Sequence, residues 1–257
     1  MKGRWLIDLS GNVLRGSIGL RAALDFFYAR FAPKPIDLQI SGIRFNNVDH
    51  ILWSLIADIF ISQVYTPRGF EIHSDDVVVD IGAHKGVFTA YAAQLTQKTI
   101  LAYEPDKNNF NYLQSLIKEN NWKHVEAVNS ALADQAINEI KLYTAESSSR
   151  NSIFAKDVVT GEELLESQTV PATTLENAIK PLTQVSLLKM DCEGAEFPIL
   201  LSADLTTMSK INKMVIEYHA PETSPDFQAL IEKLKLIYKY VMVTKTNDSA
   251  LGYIYAK

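Results

Sequence analysis

The sequence predicts an α/β fold, a mostly parallel seven-stranded sheet with a C-terminal antiparallel hairpin and an N-terminal helical extension. Three observations carry this prediction. Val77, Val78 and Val79 form a β-branched run, the pattern of a strand buried on both faces in a parallel sheet. The run leads through Asp80, Gly82 and Gly86 into the apolar stretch Val87 to Leu95, which makes a strand–turn–helix unit. Apolar strands and helical patterns then alternate, and the chain closes on two short alternating strands around Thr246 to Ser249.

Composition bounds the partners. The 257 residues suffice for a substantial core, and a net charge of −5 gives no electrostatic case for nucleic acid. Residues 1–44 differ, with seven Lys or Arg against three Asp, a net +4 that leaves −9 for the rest. A single cysteine, Cys192, excludes an intrachain disulfide and points to a reducing compartment. Asp8, Arg15 and Arg21 interrupt the early apolar runs, as no secretory signal would allow. The longest charge-free run, Gly86 to Gln97, has 12 residues. A bilayer span needs about 20. The expectation is a cytoplasmic protein with no transmembrane segment.

In chain order, residues 1–48 read as an extension and 49–257 as the main domain. Leu20 to Phe31 places Phe26, Phe27 and Phe31 on a helix face, suited to packing on the domain or to peripheral membrane contact. Pro33 and Pro35 end it, and Ile36 to Phe45 reads as a strand or hairpin. Asp49 to Tyr65 has helical spacing and is expected over the mouth of the sheet. Ile100 to Tyr103, Val125 to Val128, Val185 to Met190 and Lys213 to Ile216 supply further parallel strands. Helices are expected over Asn108 to Asn120, after Phe197, and over Phe227 to Tyr238. Ile137 to Tyr143 and Thr169 to Leu175 read as an inserted hairpin, enclosing the hydroxyl-rich loop Glu146 to Ser152.

The first strand-to-helix turn carries the ligand signal. A dinucleotide fingerprint needs glycine at its first, third and sixth positions; here His84 takes the third and the spacing is G-x-x-x-G, which argues against NAD or FAD. The second strand ends in Glu104 and Pro105, eighteen residues past Gly86 for the acid, placed to receive ribose hydroxyls. The competing reading is a βα unit whose glycines serve packing alone. With Asp80, Gly82, Gly86 and Glu104 together, the pattern resembles the S-adenosylmethionine site of a class I methyltransferase. Ala83, His84, Pro105 and Asp191 join the candidate cofactor contacts. So do Asn129 and Ala131, in the loop that walls the adenine in such enzymes.

A more specific resemblance rests on Asp80-Ile81-Gly82-Ala83 with Gly86, on Tyr103-Glu104-Pro105, on Val170 to Leu175, and on Lys189-Met190-Asp191-Cys192-Glu193-Gly194-Ala195-Glu196. Across residues 50 to 220 the chain resembles the FkbM-type S-adenosylmethionine-dependent methyltransferases. The resemblance implies a Rossmann-like class I methyltransferase fold and methyl transfer, commonly to a hydroxyl of a sugar or a small metabolite. His84, Lys85 and Cys192 depart from the residues common there.

An alcohol attacks well only once its proton leaves, so O-methylation calls for a base near the hydroxyl. Asp191 is the first candidate, His219 the second, and Glu193 is placed to orient either. Lys189, on a buried strand, is expected to pair with one of these acids. Asp191, Glu193, Glu196 and His219 also carry the groups a divalent metal uses, but spacing does not separate that case from base catalysis, and no metal is assigned. N- or protein methylation, and a catalytically silent binding module of the same fold, stay open. Nothing in the sequence defines the oligomeric state.

Overall fold

The computed structural model describes residues 35–144, 166–246 and 250–257. The Leu20 to Phe31 helix face and the Glu146 to Ser152 loop lie outside the described residues.

The chain enters through an antiparallel hairpin, β1 (Ile36–Ile40) and β2 (Ile43–Val48), then α1 (His50–Ile56), which runs into one π-helical turn at Ala57–Ile61. Asp49 caps α1 by accepting from the Leu52 N–H at 2.8 Å. There follow β3 (Val78–Ile81), α2 (Val87–Leu95), β4 (Ile100–Tyr103), α3 (Lys107–Glu119) and β5 (Val125–Val128). A small sheet interrupts the alternation: β6 (Ala131–Leu132), β7 (Glu139–Thr144) and β8 (Glu166–Thr173), with β7 and β8 antiparallel as the inserted hairpin requires. The chain resumes with α4 (Leu175–Ile179), β9 (Val185–Met190), α5 (Glu196–Ser202), α6 (Leu205–Ser209), β10 (Ile211–His219), α7 (Pro225–Lys235), β11 (Val241–Lys245) and β12 (Leu251–Ala256).

The main sheet has seven strands in the order β11-β12-β10-β9-β3-β4-β5. The β10–β9, β9–β3, β3–β4 and β4–β5 pairs are parallel, and β12 runs antiparallel to both its neighbours. Strand order reverses direction between β3 and β9. In an open α/β sheet the crevice at that switch, beyond the carboxyl ends, receives the ligand.

Each face of the sheet is covered. On one, Leu52, Trp53, Ile56 and Phe60 pack with Phe88, Ala92, Val78 and Leu187. On the other, Leu175, Ile199, Leu200, Leu230 and Leu234 pack with Val79, Leu188 and Ile216. The helical segment expected over the sheet mouth thus lies against a face, because Leu52, Trp53, Ile56, Ile59 and Phe60 have apolar strand and α2 side chains to meet there. At its two ends Asp49 pairs with Lys85 of the β3 turn at 3.3 Å and Tyr65 reaches Asp191 at the β9 tip. The β1–β2 hairpin shares this layer: Phe45 is fully buried, its ring edge-on to Phe60 at 6.1 Å, and Arg44 exchanges main-chain bonds with the Asn120 side chain on the far end of α3. Among the described residues, no helix is long and apolar enough to cross a membrane.

Candidate active site

The β3 turn brings the strand tips together. Gly82 has φ +73°, and a Cβ there would stand 1.7 Å from the Asp191 carbonyl oxygen. Gly86 has φ +82°, and a Cβ there would meet Leu113 of α3 at 2.5 Å. Both glycines are demanded by backbone conformation and by close approach of protein to protein. Between them His84 takes φ +51°, and its N–H donates to Glu104 Oε2 at 2.7 Å. Glu104, at the β4 tip, also accepts from the Asp106 N–H at 2.9 Å. Burial pushes the Glu104 carboxyl up to about 7 and pulls the His84 imidazole down to about 4.

The other candidates divide. Asp80 is fully buried, its carboxylate held by the Thr89 hydroxyl at 2.6 Å and by Lys189 Nζ at 3.2 Å. Lys189 is 3% exposed and also donates to the Gly82 carbonyl at 2.6 Å. The expected pairing with Asp191 is present at 3.8 Å, but the closer partner is Asp80, which faces Lys189 rather than the crevice. Ala83 packs with Ala102 and Leu113, and Ala131 with Leu142 and Val170, so neither side chain points at a ligand. Asn129 does reach the β4 tip, its amide donating to the carbonyls of Glu104 and Pro105 at 2.9 and 2.8 Å. It braces the turn that carries Glu104.

At the tips of β9 and β10 the acids and the histidine converge. His219 is 5% exposed, with Nδ1 3.1 Å from Glu196 Oε1 and Nε2 3.4 Å from Glu193 Oε2 and 3.9 Å from Asp191 Oδ1. Glu196, fully buried, is itself held by the Cys192 N–H at 2.6 Å and the Gly194 N–H at 2.9 Å. Burial alone would lower the His219 pKa, but Glu196, Glu193 and Asp191 outweigh it and hold the ring well above its usual range. Burial drives Glu193 up against the pull of His219, and drives Cys192 up as well, so that thiol is no nucleophile. Ligand atoms of Asp191, Glu196 and His219 do lie within 4.8 Å of one another. Glu196 meets the Cys192 N–H and the imidazole with one oxygen and the Gly194 N–H with the other, so it orients His219, and no metal is assigned.

Tyr65 completes the group and was missed by sequence reasoning. Its hydroxyl is 3.0 Å from Asp191 Oδ2 and also bonds Glu217. It sits 126 residues from Asp191, at the end of a stretch whose spacing signals only a helix face. Arg68, three residues on, is exposed.

The donor set fits S-adenosylmethionine. Glu104 has lone pairs beyond the two N–H groups it accepts, suited to ribose hydroxyls, and it lies against the turn of left-handed Gly82, His84 and Gly86. The partly exposed carboxyl of Asp191 stands at the β9 tip on the side of the crevice, complementary to a sulfonium cation.

Comparison with known proteins agrees. Residues 80–255 match the model of the methyltransferase FkbM domain. Methyltransferase 1 of Beauveria bassiana is 25% identical over 177 residues, 62% of this chain and 70% of that protein. The AMB antimetabolite synthetase AmbE of Pseudomonas aeruginosa is 23% identical over 222 residues, 72% of this chain and only 10% of the synthetase. The crystal structure of methyltransferase FkbM from Methylobacillus flagellatus superposes with a TM-score of 0.51 at 14% identity, covering 81% of this chain and 54% of that one. With the strand order, the glycine turn and the acidic β9 tip in agreement, the chain belongs to the FkbM family of S-adenosylmethionine-dependent methyltransferases.

Proposed function

We propose that this methyltransferase acts on a hydroxyl oxygen of a sugar, a glycan or another small metabolite, with Asp191 as the base. The observation that carries this reading is the division of labour around Asp191. His219 is held as a cation by Glu196 and Glu193, so it is no base near neutral pH. Asp191, a quarter exposed at its side chain, presents Oδ1 toward that cation and the crevice. A carboxylate there receives the acceptor's proton, a service worth about 10²–10⁴ in rate. Glu193 and His219 orient and balance it.

S-adenosylmethionine supplies the electrophilic methyl group when bound. Glu104 and the main chain of Ala83, His84 and Pro105 are the residues assigned to hold it, and Gly82, Gly86 and Asn129 shape that wall. Asp80 contributes through Lys189, which fixes the Gly82 turn. Residues 49–257 form the proposed methyltransferase domain, with the β1–β2 hairpin docked on it, and the proposed setting is cytoplasmic.

The test is transfer of labelled methyl from S-adenosylmethionine to a panel of free sugars, methyl glycosides and small alcohols, with amines and peptides in parallel. Label in base-stable methyl ethers supports the reading. Label confined to amines or protein overturns it, and calorimetry showing no uptake of S-adenosylmethionine would leave only a silent binding module.

A further inference from the structure

Tyr65 is 6% exposed, its ring edge-on to Phe88 at 5.5 Å and to Tyr253 at 5.7 Å. That packing leaves the hydroxyl one place, between Asp191 Oδ2 and Glu217 Oε2. A phenol has one proton to donate. Two acids facing it are satisfied together only when one of them carries a proton and donates it to the phenolic oxygen. The three groups then form a directed chain.

The surrounding cations decide its direction. Asp191 lies 3.8 Å from Lys189 Nζ and 3.9 Å from His219 Nε2. Among the described residues, Glu217 has no cation at ion-pair distance. Both lysine and imidazolium therefore favour an ionised Asp191 over an ionised Glu217.

We propose that Tyr65 and Glu217 are positioning residues: protonated Glu217 donates to the Tyr65 oxygen, and Tyr65 donates to Asp191 Oδ2, which keeps Asp191 ionised and aimed with Oδ1 free for the acceptor. This rests on Asp191 being the base. The acceptor O–H breaks and its proton goes to Asp191 Oδ1; the oxygen's electron pair would form the C–O bond as the methyl's bond to the donor sulfur breaks, that bond's pair staying on sulfur as a neutral thioether. Glu217 and Tyr65 keep their own protons throughout. When Glu217 ionises, Tyr65 turns its one proton to Glu217 and Asp191 loses its donor.

The electrostatics agree, since burial and then Asp191 push Glu217 up to about 7. The groups facing Glu217 are Asp191 and Lys189 from β9, His219 on its own strand, Glu193 from the turn, Tyr253 and Tyr255 from β12, and Tyr65. Burial, Asp191 and Glu217 together drive the Tyr65 hydroxyl well above its usual range, so it stays protonated while Glu217 titrates.

The test needs no acceptor. In protein carrying ¹³Cζ-tyrosine, the Tyr65 signal is assigned by its loss in Tyr65→Phe and followed across neutral pH. The expected result is a shift of Tyr65 Cζ as Glu217 ionises, abolished in Glu217→Gln, whose amide donates at every pH. A flat Tyr65 signal overturns the proposal. So does a titration that survives Glu217→Gln and disappears in Asp191→Asn, because then Asp191 carries the proton. Should Tyr65→Phe fail to fold, assignment by tyrosine-selective relaxation from a spin label on an exposed engineered cysteine replaces it. Failure of the underlying reading is seen separately: Asp191→Asn that still transfers methyl removes the base and leaves this titration untouched.

Discussion

Gly82 and Asp191 meet main chain to side-chain space: the position of an absent Gly82 Cβ is taken by the Asp191 carbonyl oxygen, 1.7 Å away. That space belongs to the tip of β9. The same closeness holds Asp191, the proposed base, next to the β3 turn.

A methyl group at Gly82 must therefore move backbone, at a φ of +73° that L residues rarely adopt. Gly82→Ala is expected to cost more than about 2 kcal/mol of stability. Gly86→Ala meets the flexible end of Leu113 and is expected to cost less. Urea titration checks the order, and equal midpoints for wild type and Gly82→Ala would refute it.

Asp191→Asn removes the proton acceptor while keeping the size of the side chain. Methyl transfer is expected to fall by about 10²–10⁴. His219→Ala is expected to lose activity through misplacement of Asp191 and Glu193. A rate that rises through a histidine-like pKa, and is lost as His219 becomes charged, would make the imidazole the base instead.

Glu196→Gln should bring the His219 pKa down, since Glu196 is the nearest acid, at 3.1 Å from Nδ1. In the wild type the raised value means that the ion pairs of His219 stabilise the fold fully below its ordinary value of 6.5, and that this contribution is lost as pH rises through the raised one. Imidazole ¹⁵N shifts report the state directly. A wild-type ring that is already neutral near pH 7 would contradict this account.

Glu104 has the same sign by a different cause. Burial raises it from 4.5 to about 7, so its contribution to stability is present below 4.5 and lost as pH rises through 7. The loss is about 3 kcal/mol over that window. Glu104→Gln should flatten this part of the stability–pH curve, and should weaken S-adenosylmethionine binding at least about tenfold through a lost charged acceptor. Urea midpoints across the window and calorimetry check the two halves; unchanged slope and affinity together would remove Glu104 from the site.

The strands were the easiest part to read. Ile100–Tyr103, Val125–Val128 and Val185–Met190 have the bounds their apolar runs predict. β10 extends from Ile211 to His219, beyond the expected Lys213 to Ile216, because sheet pairing with β9 and β12 carries charged residues that no apolar run includes. The five-residue α4 and α6 are too short for a helical period to show.

Local pattern by itself determined the parallel sheet, the left-handed glycine turn and the acids at the strand tips, because each depends on residues a few positions apart. Only the tertiary structure decided what those groups face. It turned Asp80 to Lys189, set His219 among the carboxyl groups of Asp191, Glu193 and Glu196, and set Tyr65 between Asp191 and Glu217. Charge state and hydrogen-bond direction arise from neighbours that strand order brings together, 126 residues apart for Tyr65 and Asp191 and 23 for Glu196 and His219, and no pattern along the chain encodes those contacts.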